Sequence, residues 1–280
     1  MTIFDDPAAA LAGNYPHAPA RLRHWLSGDP RFTLAALVAL SRRLPASSIE
    51  YNAGDLGVGQ DPAQTPSNGL SPEETIRRIE TCRSWMVLKN VEADSAYRSA
   101  MDECLADIAP VAAPATGSMA KKIGFIFISS PGAVTPFHMD PEHNILMQIS
   151  GRKTMRVYPA VAGIVSDLQH EDYHAGDAHR NLPHRPEFEA LAATHVLHPG
   201  DALYVPVKAP HWVENGPAPS VSFSITWRSR LSLDEASLRL ANRWARARGG
   251  APPAPGMRPL RDRAAILAYR AAMKLAGLSS

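Results

Sequence analysis

Three side chains that could hold a metal ion stand in two short motifs. His138 and Asp140 lie one residue apart in TPFHMDPEHN, residues 135–144, and His211 follows in PGDALYVPVKAPHW, residues 199–212. Two imidazoles and one carboxylate form the facial triad typical of non-haem iron(II) sites, which leaves metal positions open for a co-substrate and O₂. The pattern therefore predicts a metal site on His138, Asp140 and His211.

A β-rich fold would bring these ligands together. Residues i and i+2 of a strand point to the same face, so His138 and Asp140 could share one side of a strand. His211 would then arrive from a distant strand of a barrel. An isolated H-x-D pair often arises by chance, so the apolar, strand-like run at 123–130 supports the prediction.

A lysine nearby could anchor an anionic co-substrate. In GRKTMRVYP, residues 151–159, alternation places Lys153, Met155 and Val157 on one face. If the apolar pair faces the core, the ammonium is buried too and needs a partner. A dicarboxylate would supply one, with its distal carboxylate on Lys153 and its keto-acid end on the metal. Alternatively, the face is half-buried and Lys153 is solvated at a sheet edge.

These motifs resemble those of the JmjC or cupin-like family of Fe(II)- and 2-oxoglutarate-dependent oxygenases. They are particularly similar to the asparaginyl hydroxylase that inhibits hypoxia-inducible factor. This chain matches the family pattern at four places. They are T-P-x-H-x-D, an asparagine four residues after the aspartate, G-x-K, and P-G-D-x-L-Y-x-P before the last ligand. The matching residues are Thr135, Pro136, His138, Asp140, Asn144, Gly151, Lys153, Pro199 to Pro206 and His211.

The resemblance implies a double-stranded β-helix that holds Fe(II) on the triad and 2-oxoglutarate beside it. Lys153 and Thr135 would bind the distal carboxylate of 2-oxoglutarate. Asn144 is expected either near the metal, as a hydrogen-bonding neighbour of the ligands, or as a turn-closing residue.

One family feature is missing from the last strand. The asparaginyl hydroxylase has an asparagine there, close to the co-substrate, whereas this chain reads SVSFSITW at residues 220–227. The resemblance therefore leaves that contact to Ser224 or Thr226, or to neither. Tyr51, in IEYNAGD, is a further candidate for the distal carboxylate.

The activity implied is hydroxylation of a C–H bond, coupled to decarboxylation of 2-oxoglutarate to succinate. The substrate stays open between a protein or peptide side chain and a small metabolite, because fold and cofactor do not fix it. Histone demethylation is not expected, since no reader domain accompanies the core. Two alternatives are a cupin-like sensor or binding protein that holds metal without turnover, and a metal-dependent isomerase or hydrolase.

Composition favours one sizeable core with appended helices. The chain has 280 residues, 45% of them apolar, and a net charge of +2. From Arg228 onward, 11 basic and 3 acidic side chains make a basic tail. We interpret this tail as the solvated face of packed helices or, alternatively, as a surface for an acidic partner. We expect no nucleic-acid partner.

The two cysteines and the N-terminal sequence predict a cytoplasmic protein without a membrane partner. Cys82 and Cys104 are too few for a disulfide framework and suit free thiols. The N-terminus shows no signal-peptide pattern, and the most apolar stretch, residues 33–40, is too short to span a bilayer.

The fold is predicted to be mainly β with flanking helices, an α+β arrangement around a jelly-roll. Residues 123–228 would form the β-helix core, residues 1–122 would pack on it as helices and strands, and residues 229–280 would form a helical region. Within the first region we predict helices at 32–44, 71–82 and 93–108, a strand at 84–91 and a loop at 109–118. Ser71 and Glu74 should form a capping box.

An insertion interrupts the strand pattern between residues 160 and 195. Its histidines are His170, His174, His179, His184 and His195. Their irregular spacing favours a solvated loop that rims the substrate pocket over a second metal site. His143, three residues beyond Asp140, is not expected to be a ligand.

Two helices are predicted in the tail, at 232–247 and 260–275. The second carries an apolar stripe of Leu260, Ala264, Leu267, Ala271 and Leu275. The stripe could pack on the chain's own barrel or on a second copy, and we expect a homodimer through these helices.

Overall fold

The computed structural model describes residues 2–61, 64–161 and 163–277. Its strands within these ranges are β1 (Phe4–Asp5), β2 (Ala20–His24), β3 (Ile49–Ala53), β4 (Ser84–Lys89), β5 (Ala120–Ser129), β6 (Val134–His138), β7 (His143–Ser150), β8 (Lys153–Val157), β9 (Ala193–Leu197), β10 (Asp201–Val205), β11 (His211–Asn215) and β12 (Ser220–Arg228). Its helices are α1 (Pro7–Leu11), α2 (Leu34–Ser41), α3 (Pro72–Arg77), α4 (Ser95–Thr116), α5 (Asp167–Ala175), α6 (Arg230–Arg246) and α7 (Pro259–Leu275).

The strands form two antiparallel sheets. The larger has the order β1-β2-β10-β7-β12-β5-β4-β3 and the smaller the order β6-β11-β8-β9. Apolar side chains from both sheets, among them Leu146, Met155 and Leu203, pack together in the space between them. This arrangement is the predicted double-stranded β-helix with flanking helices.

The central strands of the larger sheet are buried on both faces. On β12, Val221, Phe223, Ile225 and Trp227 join the main core, which the helices α1, α2 and α4 cover from outside. The alternate residues of β12 are hydroxyl side chains that face the space between the sheets. The interior of the barrel is therefore polar along this strand.

The helix α4 continues to Thr116 and so takes up most of residues 109–118, where a loop was predicted, so that prediction is wrong. Pro110 and Pro114 lie inside the helix, although a proline removes a backbone hydrogen bond and usually breaks a helix. Burial of Ile108, Ala112 and Thr116 holds the last turns in place. Tertiary packing thus overrides the local signal.

The helix α3 ends at Arg77, five residues before the predicted end at Cys82. Residues 78–82 form turns instead. The predicted capping box between Ser71 and Glu74 is confirmed. The helix start was therefore encoded locally, whereas its end was not.

The insertion between residues 160 and 195 is structured, so the prediction of a solvated loop is wrong. It contains α5, a 3-10 turn at Pro186–Leu191 and the strand β9. The capping box of Ser166 and Gln169 starts α5, and His170 is buried at 3% exposure. The helix α5 packs on α6.

Acidic side chains of the insertion neutralise part of the basic tail, all of it on α6. Arg239 pairs with Asp167, and Arg246 pairs with Glu171, whose carboxylate is buried. The predicted solvated basic face therefore does not exist on this part of α6.

The apolar stripe of α7 faces solvent. Leu260, Leu267 and Leu275 are 87%, 61% and 90% exposed. The helix contacts α6 through polar groups instead, such as the Arg261 guanidinium, which donates to Asn242 Oδ1 at 2.7 Å. Packing of the stripe on the chain's own barrel, one of the two predicted options, is thus wrong.

The predicted regional boundaries remain predictions. The strand β5 begins at Ala120, before the boundary at 122, and β1 to β4 extend the larger sheet at both edges. The N-terminal elements therefore continue the sheet of the core. The final residues of the predicted region 229–280 lie outside the described ranges.

Within the described ranges, no helix combines the length and apolar character needed to cross a membrane. Cys82 and Cys104 are free thiols, as predicted. The cytoplasmic location stays a prediction.

Candidate metal centre

The structure brings the three predicted ligands together. His138 and His211 are register partners on β6 and β11, and their ring centroids lie 4.2 Å apart. Asp140 Oδ2 lies 3.7 Å from His138 Nε2 and 3.8 Å from His211 Nε2. Asp140 follows β6 in a loop, so the prediction that it shares a strand face with His138 is wrong in that detail.

Both histidines present an unprotonated Nε2 to the site, a form that can bind a metal. The Nδ1 atom of His138 lies 2.8 Å from the Pro136 carbonyl oxygen, and that of His211 lies 3.0 Å from the Ala209 carbonyl oxygen. Because a carbonyl only accepts hydrogen bonds, each Nδ1 carries the proton and each Nε2 keeps its lone pair. Backbone contacts of this kind commonly orient metal-binding imidazoles.

The charge states also suit a metal. Burial lowers the pKa of His211 to about 4, so the ring is neutral at pH 7. Burial alone would raise the pKa of the Asp140 carboxyl, but the Arg180 guanidinium is among the groups that outweigh burial and hold the pKa below its usual range. A neutral imidazole and an ionised carboxylate are the forms that bind metals. The donor set thus fits a divalent ion.

Arg180 is a site residue that sequence reasoning missed. It lies 3.4 Å from the Asp140 carboxylate, measured from Nη1 to Oδ1. The insertion holds it there because Met139 N donates to the Arg180 carbonyl oxygen and Leu182 N donates to that of Phe137. No local sequence signal marks Arg180, since its position depends on how the insertion docks along β6.

A narrow cavity joins the triad to Lys153. Its lining residues come from both sheets and the insertion, and they are Phe127, Thr135, His138, Asp140, Asn144, Leu146, Lys153, Met155, Arg180, His211 and Val213. A wider groove of about 340 Å³ runs from His138 along the outer part of the larger sheet. Aromatic side chains such as Trp85 and Phe125 line the groove, and Arg180 and Asn181 of the insertion rim it.

Lys153 is buried, so the alternative of a solvated edge lysine is wrong. It is 3% exposed, and Met155 and Val157 share its buried face. Its Nζ donates to Ser222 Oγ at 2.7 Å and lies 5.5 Å from the centroid of the Phe127 ring. Burial lowers the pKa of Lys153 to about 7. No described carboxylate forms an ion pair with this ammonium.

The backbone conformation at Gly151 explains why the G-x-K motif has a glycine. Its φ is +72°, and a Cβ atom at this position would collide with the Pro219 carbonyl oxygen. Only glycine fits such a backbone without strain. The turn it permits places Lys153 at the start of β8.

The structure places Thr135 and Asn144 in the lining of the cavity. Asn144 lies within β7, so the alternative of a turn-closing asparagine is wrong. Its Oδ1 accepts a 2.6 Å hydrogen bond from Ser224 Oγ. Ser224 therefore supports a cavity residue and is not itself part of the lining.

Two other candidates do not reach the cavity. The Thr226 hydroxyl donates to the Ile123 carbonyl oxygen at 3.4 Å and lies outside the lining. Tyr51 packs against the main core from β3, whereas its neighbours Glu50 and Asn52 line the outer groove. The period of two residues along a strand turns Tyr51 away from the site.

His143 is not a ligand, as predicted. Its Nδ1 lies 2.9 Å from the Tyr204 hydroxyl, and its Nε2 lies 2.8 Å from Ser229 Oγ. Its ring stacks on Trp227 at 5.2 Å between centroids. Within the part of the chain that the structure describes, no second cluster of three potential ligands accompanies the triad.

Sequence comparison finds the same core. The sequence model described as a cupin-like domain matches residues 67–232. Lysine-specific demethylase 8 of Xenopus tropicalis is 33% identical over 106 residues, which are 34% of this chain and 22% of that protein. Lysine-specific demethylase JMJ30 of Arabidopsis thaliana is 34% identical over 110 residues, 34% of this chain and 24% of that protein. The matches thus span less than a quarter of either relative's length.

Solved structures share the fold at low sequence identity. An X-ray structure of Escherichia coli YcfD superposes with a TM-score of 0.54 and 15% identity, covering 98% of this chain and 68% of that one. YcfD in complex with cobalt and 2-oxoglutarate gives a TM-score of 0.53 and 16% identity, covering 92% and 61%. Similarity at this level of identity establishes the fold alone.

The family match covers more than half of the chain and contains every residue of the triad. Its bounds run from the loop before α3 to the start of α6. The chain therefore belongs to the cupin-like domain family, as the resemblance of its motifs predicted.

Proposed function

We propose that this protein is an Fe(II)- and 2-oxoglutarate-dependent oxygenase that hydroxylates a C–H bond. The proposal rests on one observation: a cavity joins the triad to Lys153, which is buried and has no ion-pair partner among the described carboxylates. An ammonium buried without an anion is costly. An anionic ligand between Lys153 and the metal position would compensate for that cost.

Each cavity residue has a role in this proposal. His138, Asp140 and His211 would hold iron(II), and Lys153 with Thr135 would hold the distal carboxylate of 2-oxoglutarate. Iron(II), when bound, supplies the O₂ chemistry that couples decarboxylation of 2-oxoglutarate to oxidation of the substrate. Apolar lining such as Phe127 and Leu146 would exclude water and so strengthen the attraction between ammonium and carboxylate.

The descriptions of similar proteins support this assignment. The curated relatives are named lysine-specific demethylases, and YcfD is described as a ribosomal oxygenase in complex with cobalt and 2-oxoglutarate. These descriptions point to a protein side chain as substrate. For this chain we propose hydroxylation of a protein or peptide side chain, or of a small metabolite, that enters through the outer groove.

The proposal predicts formation of succinate that requires Fe(II), 2-oxoglutarate and O₂. Slow uncoupled turnover would be measured first, followed by screening of peptides and metabolites for stimulation. His138→Ala should abolish succinate formation, whereas His198→Ala, at an exposed histidine outside the cavity lining, should leave it unchanged.

The alternative is a cupin-like protein that binds metal without turnover. Tight metal binding by the wild type with no succinate, in the presence of all co-substrates, would favour it. Retention of normal succinate formation in His138→Ala would instead contradict the triad assignment.

A further inference from the structure

Lys153 sits at the end of a chain of buried hydrogen bonds. Its Nζ donates to Ser222 Oγ at 2.7 Å, and that hydroxyl donates to Gln148 Oε1 at 2.7 Å. Gln148 Nε2 donates in turn to Ser220 Oγ at 3.0 Å and to the Ser150 carbonyl oxygen at 2.7 Å. Gln148 and Ser222 are both 0% exposed.

The donor and the acceptor of each hydrogen bond in this series can be assigned. Because the carbonyl of Ser150 only accepts, the Gln148 amide must point its NH₂ group there and its oxygen toward Ser222. The single Ser222 proton is then used on Gln148, which leaves the lone pairs of that hydroxyl for Lys153. Among the described residues, the ammonium makes this one hydrogen bond, which leaves two of its three protons for a ligand in the cavity.

The groups that hold the Lys153 ammonium are neutral, and this favours binding of an anion. A carboxylate beside Lys153 would neutralise the ammonium, and an incoming anion would have to compete with that ion pair. The Ser222 hydroxyl and the Gln148 amide fix the position of the ammonium and leave its charge uncompensated.

We propose that Ser222 and Gln148 are positioning residues for co-substrate binding, an inference that rests on the proposed function. They hold the Lys153 ammonium at the depth where it meets the distal carboxylate of 2-oxoglutarate, without themselves contacting the metal. Neither residue lines the cavity, and both act through Lys153. The last strand of the barrel thereby contributes to co-substrate binding through Ser222 instead of the missing asparagine.

The test compares the affinity for 2-oxoglutarate of the wild type and of Ser222→Ala, with Fe(II) bound and O₂ excluded. Loss of a hydrogen bond to a charged group should weaken binding about tenfold or more. Ser222→Thr retains the hydroxyl and should recover most of the affinity. Ser41→Ala is the matched control, because it removes a buried hydroxyl that bonds only within α2. Its affinity should equal that of the wild type.

The pH dependence separates positioning from a merely structural role. The Ser222 oxygen stabilises the charged form of Lys153, so its removal should lower the pKa of that lysine below about 7. The loss of affinity in Ser222→Ala should therefore be larger at pH 8 than at pH 6. His138, Asp140, His211 and Arg180 share the cavity but are common to all variants, so the ratio of variant to wild type is compared at each pH.

Each outcome distinguishes the two proposals. Affinity in Ser222→Ala equal to that of the wild type at both pH values would overturn the positioning role. A wild type that binds Fe(II) but not 2-oxoglutarate would overturn the proposed function instead. If Ser222→Ala fails to fold, Ser222→Cys preserves the volume with a weaker acceptor, and the same loss and pH trend are expected of it.

Discussion

The Arg180 guanidinium lies against Asp140, with 3.4 Å between Nη1 and the Oδ1 atom of the carboxylate. The other carboxylate oxygen, Oδ2, faces the Nε2 atoms of His138 and His211. The two oxygens of one side chain are thus divided between a cation and the proposed metal position. Because Arg180 also lines the outer groove, it stands at the boundary between the metal centre and the path of the substrate.

Arg180→Met should weaken metal binding while leaving the triad in place. The methionine retains part of the apolar stem, but the charge that holds down the pKa of Asp140 is lost. Mutation of a group that orients a metal ligand commonly lowers metal affinity 10- to 100-fold. Because Arg180 is partly exposed, we expect a loss of about tenfold. The loss should grow as the pH falls, because protons then compete for the carboxylate. Titration with Co(II) at two pH values measures both effects.

Arg185→Met is the matched control for that measurement. Arg185 belongs to the same insertion but is exposed, and its guanidinium lies 6.0 Å from the centroid of the Phe188 ring. Equal Co(II) affinity in Arg180→Met and Arg185→Met would show that the guanidinium does not support the metal ligand.

Lys153→Met should weaken 2-oxoglutarate binding by about 100-fold or more and leave metal binding intact, since it removes one partner of a buried charge pair. In the wild type, affinity should fall as the pH rises above about 7, because only the ammonium attracts the carboxylate. Calorimetric titration from pH 6 to pH 9 measures this dependence. An unchanged affinity in the variant would mean that Lys153 is not the anchor.

The same substitution should stabilise the protein in the absence of co-substrate. The folded-state pKa of Lys153 is lowered from 10.5 to about 7, so the unfolded chain binds the extra proton between these values. The resulting loss of stability grows as the pH falls through this interval and is fully present below pH 7. Replacing a buried charge with an apolar side chain of similar volume should raise the free energy of unfolding by about 1–3 kcal/mol. Urea denaturation at pH 7 tests this. A destabilised variant would show that the ammonium is already compensated in the folded state.

Sequence reasoning found the parts of the site that are encoded locally. The triad, Lys153 and Gly151 lie in short motifs whose spacing is independent of the rest of the fold. Ser222 could also have been found, because the alternation of residues 220–227 places four hydroxyl side chains on one face. The family spacing directed attention to Ser224 and Thr226 instead.

Other features depend on tertiary packing and left no local signal. Arg180 reaches the site only because the insertion docks along β6. The helix α4 survives Pro110 and Pro114 because its buried face packs on the sheet. The prediction that Tyr51 contacts the distal carboxylate was wrong because a shift of one residue along a strand reverses the face that a side chain occupies.

The exposed stripe of α7 supports the proposed homodimer. Contiguous exposed apolar side chains on a helix often mark an interaction surface. Leu260→Glu combined with Leu267→Glu should therefore convert a dimer to a monomer in sedimentation experiments. Leu168→Glu, at an exposed leucine on α5, is the matched control and should leave the dimer intact. A double variant that still sediments as a dimer would place the interface elsewhere.

The most direct test of the central claim is an anaerobic titration of 2-oxoglutarate into the wild-type protein with and without Fe(II). The proposed cavity predicts binding that is strong with the metal and much weaker without it, because the keto-acid end and the distal carboxylate are held at opposite ends of one site. Binding of Fe(II) without any affinity for 2-oxoglutarate would contradict the proposed oxygenase and favour a metal-binding protein in which Lys153 is structural.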